Sequence, residues 1–247
     1  MSFHDHFSGH ASGYARHRPG YPESLFAYIA SIAPARDLAW DCATGNGQAA
    51  ISLARYFQHV IATDASGNQI ERAIPHDRVR YAVAPAEHTS IESSSLDAVT
   101  VAQAVHWFHL DEFYAEVRRV LKPDGVLALW AYGGSLIDPV IDKLLIRLNR
   151  DILGRYWSEK VGLVDKGYST LPFPFREIEA PEFMMEAAWS LDDLTGYLSS
   201  WSAWQKFMNE EGSDPIDQIR DDLSAAWGEP GQKREVRWKV YLRVGRG

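Results

Sequence analysis

LAWDCATGNGQAA spans residues 38–50, and HVIATDAS follows it at 59–66. The first segment reads as an apolar strand, Leu38 to Cys42, that carries Asp41 near its end. A glycine turn with Gly45 and Gly47 follows, then a helix from Gly47 to Phe57. The second segment reads as a strand from Val60 to Thr63 that runs into Asp64. A strand–turn–helix–strand unit of this kind binds a nucleoside-containing cofactor beyond the strand ends. Glycines at the turn let the backbone approach a ligand closely; a plain tight turn is the simpler reading. Asp41 bears on the kind of ligand. A pyrophosphate against that turn would meet an acid through poorly screened space, whereas a cationic group would be attracted. S-adenosylmethionine, with its ammonium and sulfonium, has that character. GNGQAA at 45–50 also fits the G-x-G-x-x-A pattern of NAD(P)-dependent oxidoreductases. Asp41 and the roughly forty residues before the first strand weigh against that reading.

The same rhythm continues on both sides. Residues 1–20 are polar and rich in Gly, His and Ser, and they predict irregular backbone. Residues 22–33 predict a helix with Leu25, Phe26, Ile29 and Ile32 on one side and Pro34 as its stop. Ser66 and Gln69 form a capping-box pattern for a helix to about Ile74. RVRYAVA at 78–84 predicts a third strand, and the nearly continuous apolar run at 96–105 predicts a fourth, central one. Residues 111–125 predict a helix stopped by Pro123 and Gly125, and 126–132 predict strand five. Past Gly133 and Gly134, residues 135–175 hold one helical pattern (Val140, Leu144, Leu145, Leu148) before Pro172 and Pro174, as expected of a cap over the sheet. A strand at 183–190, helices at 191–208 and 216–227, and a closing strand at 235–244 complete the chain. Alternating strands and helices predict an α/β fold with a parallel sheet covered on both faces.

Composition narrows the function. The 247 residues are 46% hydrophobic and 23% charged, with a formal net charge of −8. An acidic protein gains little from a phosphate backbone, so nucleic acid is not expected as a partner. The basic run from Lys233 to Arg246 alternates with apolar residues, as a strand with one wet face does. Cys42 is the only cysteine, so no intrachain disulfide forms, in keeping with a reducing compartment. Residues 1–20 lack the apolar core of a signal peptide, and no segment is apolar enough to span a bilayer, so a cytoplasmic protein without a membrane partner is expected. His106 and His109 have no H-E-x-x-H context and no metal site is expected; a G-x-S-x-G nucleophile elbow is also missing.

Five blocks in order carry a resemblance: RPGYP at 18–22, WDCATGNGQAA at 40–50, VIATDAS at 60–66, VAQAVHWF at 101–108 and LKPDGVLALW at 121–130. With them the chain resembles class I S-adenosylmethionine-dependent methyltransferases of the type 11 group, and is similar to plant embryo-abundant-type and trans-aconitate methyltransferase-like proteins. The resemblance covers most of residues 7–132 and holds only in outline over 135–230. It implies a Rossmann-like methyltransferase fold with a mostly parallel sheet and an antiparallel closing strand. It also implies one domain over 1–247, with an N-terminal lid and helix at 1–33 and a helical cap inserted at 135–180.

The resemblance also implies roles for residues. Asp41 accepts hydrogen bonds around the methionine end of the cofactor, while Ala43, Gly45 and Gly47 form the turn beside it. Asp64, with Ala65, takes the ribose hydroxyls, and Gln69 edges the adenine. Ala86 and Glu87 read the adenine amino side, and the Gln103 carbonyl faces the methionine ammonium. Tyr14 and Arg18 belong to the lid, with Arg18 paired to the cofactor carboxylate. The family's first turn glycine is here Ala43, which tolerates a positive φ less well. Trp107, Tyr132 and Trp201 are candidates for the wall of a small-molecule acceptor pocket. His106 is the candidate catalytic residue: a base for a hydroxyl acceptor, or a wall beside a carboxylate. Without an orienting partner in view, the wall is the favoured role. The expected reaction is O-methylation of a small molecule. A non-catalytic cofactor-binding module, or a methyltransferase acting on protein or RNA, could carry the same motifs.

Overall fold

A computed structural model describes residues 19–247. The first half runs α1 (Glu23–Ile32), β1 (Leu38–Cys42), α2 (Gln48–Leu53), β2 (His59–Asp64), α3 (Gly67–Glu71), β3 (Val79–Val83), β4 (Leu96–Ala102), α4 (Leu110–Val120) and β5 (Leu121–Tyr132). The second half runs α5 (Pro139–Ile146), α6 (Gly162–Asp165), β6 (Arg176–Ile178), β7 (Phe183–Trp189), α7 (Leu191–Ser199), α8 (Ser202–Glu211), α9 (Arg220–Trp227) and β8 (Arg234–Arg246). The strands form one sheet in the order β3-β2-β1-β4-β5-β8-β6, with β7 also paired to β8. β1 to β5 pair in parallel, and β8 runs antiparallel to β5, from Val126 opposite Arg246 to Tyr132 opposite Val240. This is the expected Rossmann-like sheet with an antiparallel closing strand. β6 and β7 extend it, both antiparallel to β8.

The central strands β1, β4 and β5 are buried along most of their length and covered on both faces, so the sheet separates two cores. One core receives Leu25, Phe26 and Ile29 from α1, Ala49 and Leu53 from α2, and Leu194, Trp204, Leu223 and Trp227 from the late helices. The other receives Phe113, Tyr114 and Val117 from α4, with Val164, Tyr168, Leu171 and Phe175 from the segment after α5. Strand order reverses between β1 and β4, so the carboxyl ends of these two strands flank the crevice where such sheets bind ligands.

Several boundaries differ from the sequence reading, each for a local reason. The helix after the glycine turn stops at Leu53 rather than Phe57. Arg55 and Tyr56 switch to i→i−3 hydrogen bonds on Ser52 and Leu53, which tightens the last turn. β4 ends at Ala102 rather than 105, because Gln103 takes a φ of 57° and Val105–Trp107 wind into a 3₁₀ turn. α4 ends at Val120 rather than 125: Leu121 already pairs with Leu96, and a bulge holding Asp124 at φ 61° follows before Val126 pairs with Ala98. Ser66 heads α3 but makes no side-chain capping bond, so the capping box is not formed. The helix expected over 191–208 is two, broken around Trp201, and that over 216–227 is a 3₁₀ turn followed by α9. In the region after β5, α5 is capped by Asp138, whose carboxylate accepts from the Val140 and Ile141 amides. A π turn over Arg147–Ile152 and 3₁₀ turns at 154–156 and 159–161 follow. No helix among the described residues is long and apolar enough to cross a membrane.

Candidate cofactor and methyl-transfer site

The glycine turn lies at the carboxyl end of β1 and is built from three left-handed residues, Ala43 (φ 55°), Gly45 (φ 57°) and Gly47 (φ 91°). The Thr44 amide donates to the Thr63 carbonyl and the Gly47 amide to the Thr44 carbonyl, so the turn is tied to β2 and to itself. The two glycines serve different purposes. A methyl group built at Gly45 would meet nothing within 4 Å, so this glycine faces open space where a ligand can approach. At Gly47 the same methyl would overlap the Tyr81 ring, with Cε1 and Cζ at 2.8 Å, so what Gly47 admits is a side chain of β3. Tyr81 is held there by donating from its hydroxyl to the Ile74 carbonyl at 2.9 Å.

Ala43 occupies a conformation that costs an L-residue roughly 1–2 kcal/mol. Glycine removes that cost but adds about 0.5–1 kcal/mol of chain entropy on folding. Ala43→Gly is therefore expected to raise stability by about 0.5–1 kcal/mol in urea unfolding. A loss of stability would show that the Ala43 methyl packs usefully in the turn.

Two acids flank the turn. Asp41 is 1% exposed, and both of its oxygens are occupied: Thr44 Oγ1 donates to Oδ2 at 2.6 Å and Thr100 Oγ1 to Oδ1 at 2.9 Å. Burial pushes its carboxyl up to about 6, against these two hydrogen bonds and a third from the Ala50 amide, with nearby Asp64 adding to the rise. Among the described residues no cation pairs with Asp41 in a salt bridge. Asp64 spans two loops: Oδ2 accepts from the Gly45 amide and Oδ1 from the Ser66 amide, each at 2.9 Å. Through Oδ1 it holds the amide of Ser66, the residue that heads α3. A carboxylate oxygen has more than one acceptor site, so an amide bond does not by itself bar it from taking a hydroxyl. Ala65 and Gln69 are half-buried beside it.

The other wall comes from beyond β4. Gln103 is half-buried at φ 57°, and its Nε2 donates to the Tyr132 carbonyl at 3.1 Å. Its amide donates to the Trp130 carbonyl at 2.8 Å, so the residue is fastened to β5 from both ends. Ala86 is buried, and Glu87 Oε1 accepts from the His109 amide at 2.9 Å, which places that carboxylate at the start of α4. His106 is 8% exposed, with Nδ1 2.8 Å from the Tyr168 hydroxyl. The histidine therefore does have an orienting partner, contrary to expectation. Burial first, then the Lys160 charge, pushes its pKa down to about 4, so it is neutral at pH 7. Trp107 lies beside it, ring centroids 5.0 Å apart, and Lys160 Nζ sits 5.6 Å from the Trp107 centroid.

Not every candidate converges here. Tyr132 is buried and packs edge-on against Tyr21, ring centroids 6.2 Å apart, in the core on the α1 face. Trp201 packs with Trp157 and Tyr197 against that same core, whereas Tyr168 belongs to the core on the other face. Tyr14 and Arg18 lie outside the described residues. Thr44, Thr100, Tyr81, Lys160 and Tyr168 escaped the sequence reading. Thr44 sits inside the quoted motif and was within reach; the others have no local pattern that points to them. No group of three or more His, Cys, Asp or Glu side chains that could hold a metal occurs among the described residues.

Comparison with known proteins agrees with this geometry. Residues 40–129 match a family described as a methyltransferase domain. A protein of Dictyostelium discoideum named as a methyltransferase is 34% identical over 229 residues, covering 91% of this chain and 87% of its own. A Saccharomyces cerevisiae protein named as an S-adenosylmethionine-dependent methyltransferase is 26% identical, with 80% of each chain covered. A solved structure described as a type II methyltransferase from Anaeromyxobacter dehalogenans superimposes with a TM-score of 0.88 at 46% identity, over 93% of this chain and 97% of that one. The chain belongs to the type 11 group of class I S-adenosylmethionine-dependent methyltransferases. The oxidoreductase reading of GNGQAA gives way to this membership.

Proposed function

We propose that this protein transfers the methyl group of S-adenosylmethionine to an oxygen of a small molecule, a carboxylate or a hydroxyl. The observation that carries the cofactor assignment is Asp41. A buried acid without a cationic partner among the described residues is a costly arrangement, and a cationic ligand at the open side of the turn relieves it. When bound, the cofactor supplies an already activated methyl group on a sulfonium. The protein's own work is then alignment and exclusion of water. Asp41, the turn around Gly45, Asp64 and Gln103 would hold the cofactor, with Ala65, Gln69, Ala86 and Glu87 around its nucleoside end. Tyr14 and Arg18, proposed as lid residues, complete the set. His106 and Trp107 would line the acceptor side. The proposed acceptor is a soluble small molecule, not a nucleic acid, in keeping with the net charge of −8.

S-adenosylhomocysteine is expected to raise the melting temperature by mass action, with NAD at equal concentration leaving it unchanged. A shift with NAD and none with S-adenosylhomocysteine would refute the cofactor assignment.

A further inference from the structure

Tyr168 is placed with unusual care for a residue in an irregular segment. It has a φ of 59°, and Gly167 before it has a φ of 57°. A side chain at Gly167 would strike the Tyr241 ring at 2.8 Å, so the turn is both strained and tightly packed. The Tyr168 amide donates to the Leu163 carbonyl, and Arg243 Nη1 donates to the Tyr168 carbonyl at 3.0 Å and to that of Leu171 at 2.8 Å. Arg243 is itself fixed to Glu177, with Nε donating to Oε1 at 2.9 Å. A left-handed non-glycine residue persists only where its surroundings enforce it, and such residues gather at functional sites. What this one achieves is a fully buried hydroxyl whose one hydrogen-bond partner among the described residues is His106 Nδ1.

The chemistry of that pair settles which way the proton lies. A buried phenol must place its hydrogen on an acceptor, and the imidazole Nδ1 is the acceptor within reach. If Nδ1 accepts, the neutral ring carries its proton on Nε2. The ring nitrogen not engaged by Tyr168 is then a donor and has no lone pair with which to take a proton. The 3₁₀ turn at 159–161 packs against the one that carries His106 and Trp107, and its Lys160 is an exposed cation that forms no salt bridge among the described residues and stands over the Trp107 face. A neutral N–H donor, an ammonium and an aromatic wall together suit a planar anion.

We infer that Tyr168 is a positioning residue that fixes His106 as an Nε2–H donor, and that His106, Lys160 and Trp107 select a carboxylate as the methyl acceptor. The inference rests on the methyl transfer proposed above and narrows it to one acceptor class. It also balances. The carboxylate oxygen, already ionised at pH 7, forms the new O–C bond to the methyl carbon. The C–S bond breaks, its electron pair returns to sulfur, and no proton has to be removed. A hydroxyl acceptor would need a base, which an Nε2–H imidazole is not.

The test uses the full chain saturated with S-adenosylhomocysteine, whose thermal shift independently reports on the cofactor assignment. Nitrogen-15 NMR of the histidines should show His106 with a bare Nδ1 and a protonated Nε2. In Tyr168→Phe this preference should be lost while the S-adenosylhomocysteine shift persists. Benzoate and its neutral counterpart benzamide then serve as probes. Benzoate should bind at least about tenfold more tightly, and Lys160→Gln should remove most of that difference while leaving benzamide within about twofold. A bare Nε2 in the wild-type protein, or unchanged tautomers in Tyr168→Phe, overturns the positioning role. Equal binding of the two probes, binding of neither, or a preference untouched by Lys160→Gln overturns carboxylate selection. A normal S-adenosylhomocysteine shift in any of those cases leaves the methyltransferase assignment standing.

Discussion

Asp41→Asn should make the ligand-free protein more stable at pH 7.5 and much poorer at binding S-adenosylhomocysteine. The direction follows from linkage. The Asp41 carboxyl is raised from 3.8 to about 6 by burial, so between those values the folded state holds a proton that the unfolded state has released. Stability from this group is present at low pH and is lost as pH rises from about 4 to about 6. The shift corresponds to roughly 2–3 kcal/mol, fully lost at pH 7.5, and the uncharged amide escapes it. The Thr44 and Thr100 hydroxyls can turn to serve an amide, and the Asn carbonyl oxygen can keep the Ala50 amide as donor. The loss on the binding side is that of a charged acceptor facing a cationic ligand, about 1.5–3 kcal/mol, or a tenfold to hundredfold weaker complex. Urea unfolding from pH 4 to 8 on both proteins, with calorimetry of S-adenosylhomocysteine, checks both halves. Parallel pH profiles would mean that Asp41 ionises in the fold without cost, and undiminished affinity would remove it from the site.

Gly47→Ala is expected to cost about 2–4 kcal/mol of stability. Two penalties add. The left-handed φ of 91° is unfavourable for any side chain, and the new methyl lands in the Tyr81 ring. The penalties separate in a double-mutant cycle. With Tyr81→Ala in the background, the steric part vanishes and Gly47→Ala should cost only about 1–2 kcal/mol, the backbone share. Equal costs in both backgrounds would show that Tyr81 swings aside freely and that its bond to the Ile74 carbonyl does not hold it.

How much of this could be read from residues alone varies along the chain. The first five strands were legible because four are short apolar runs between turn signals and β3 alternates, and the buried run of β4 marks it as central. Helix ends were the weakest part. Nothing local announces that Lys122, Pro123 and Asp124 form a bulge in β5 instead of a last helical turn, because Leu96 across the sheet decides it. β6 is three residues long and exists by virtue of β8, so no pattern within it could have shown it. At the site, Asp41, Gly45 and Asp64 were legible because strand ends and the glycine turn sit together in sequence. Tyr168 was not. It lies 62 residues from His106, and the pairing depends on a strained turn whose φ no composition reveals. Trp201, an aromatic in the second half, is half-buried against the core on the α1 face, a placement that no pattern around it announces.

The place of β8 in the sheet bears on how the chain is made. Its thirteen residues pair with β5 along one edge and with β6 and β7 along the other, so a strand synthesised after all three of its partners is an interior one. Arg246 Nη2 donates to the Ile32 carbonyl, 214 residues earlier, and the Gly247 amide donates to the Gly125 carbonyl. Until those residues leave the ribosome, β5 presents an unpaired apolar edge and β6 and β7 have no partner. Vectorial folding from the amino end can therefore build the glycine turn and its acids, but the sheet closes only after translation of this strand, and nascent chains stalled before residue 234 should be the aggregation-prone species.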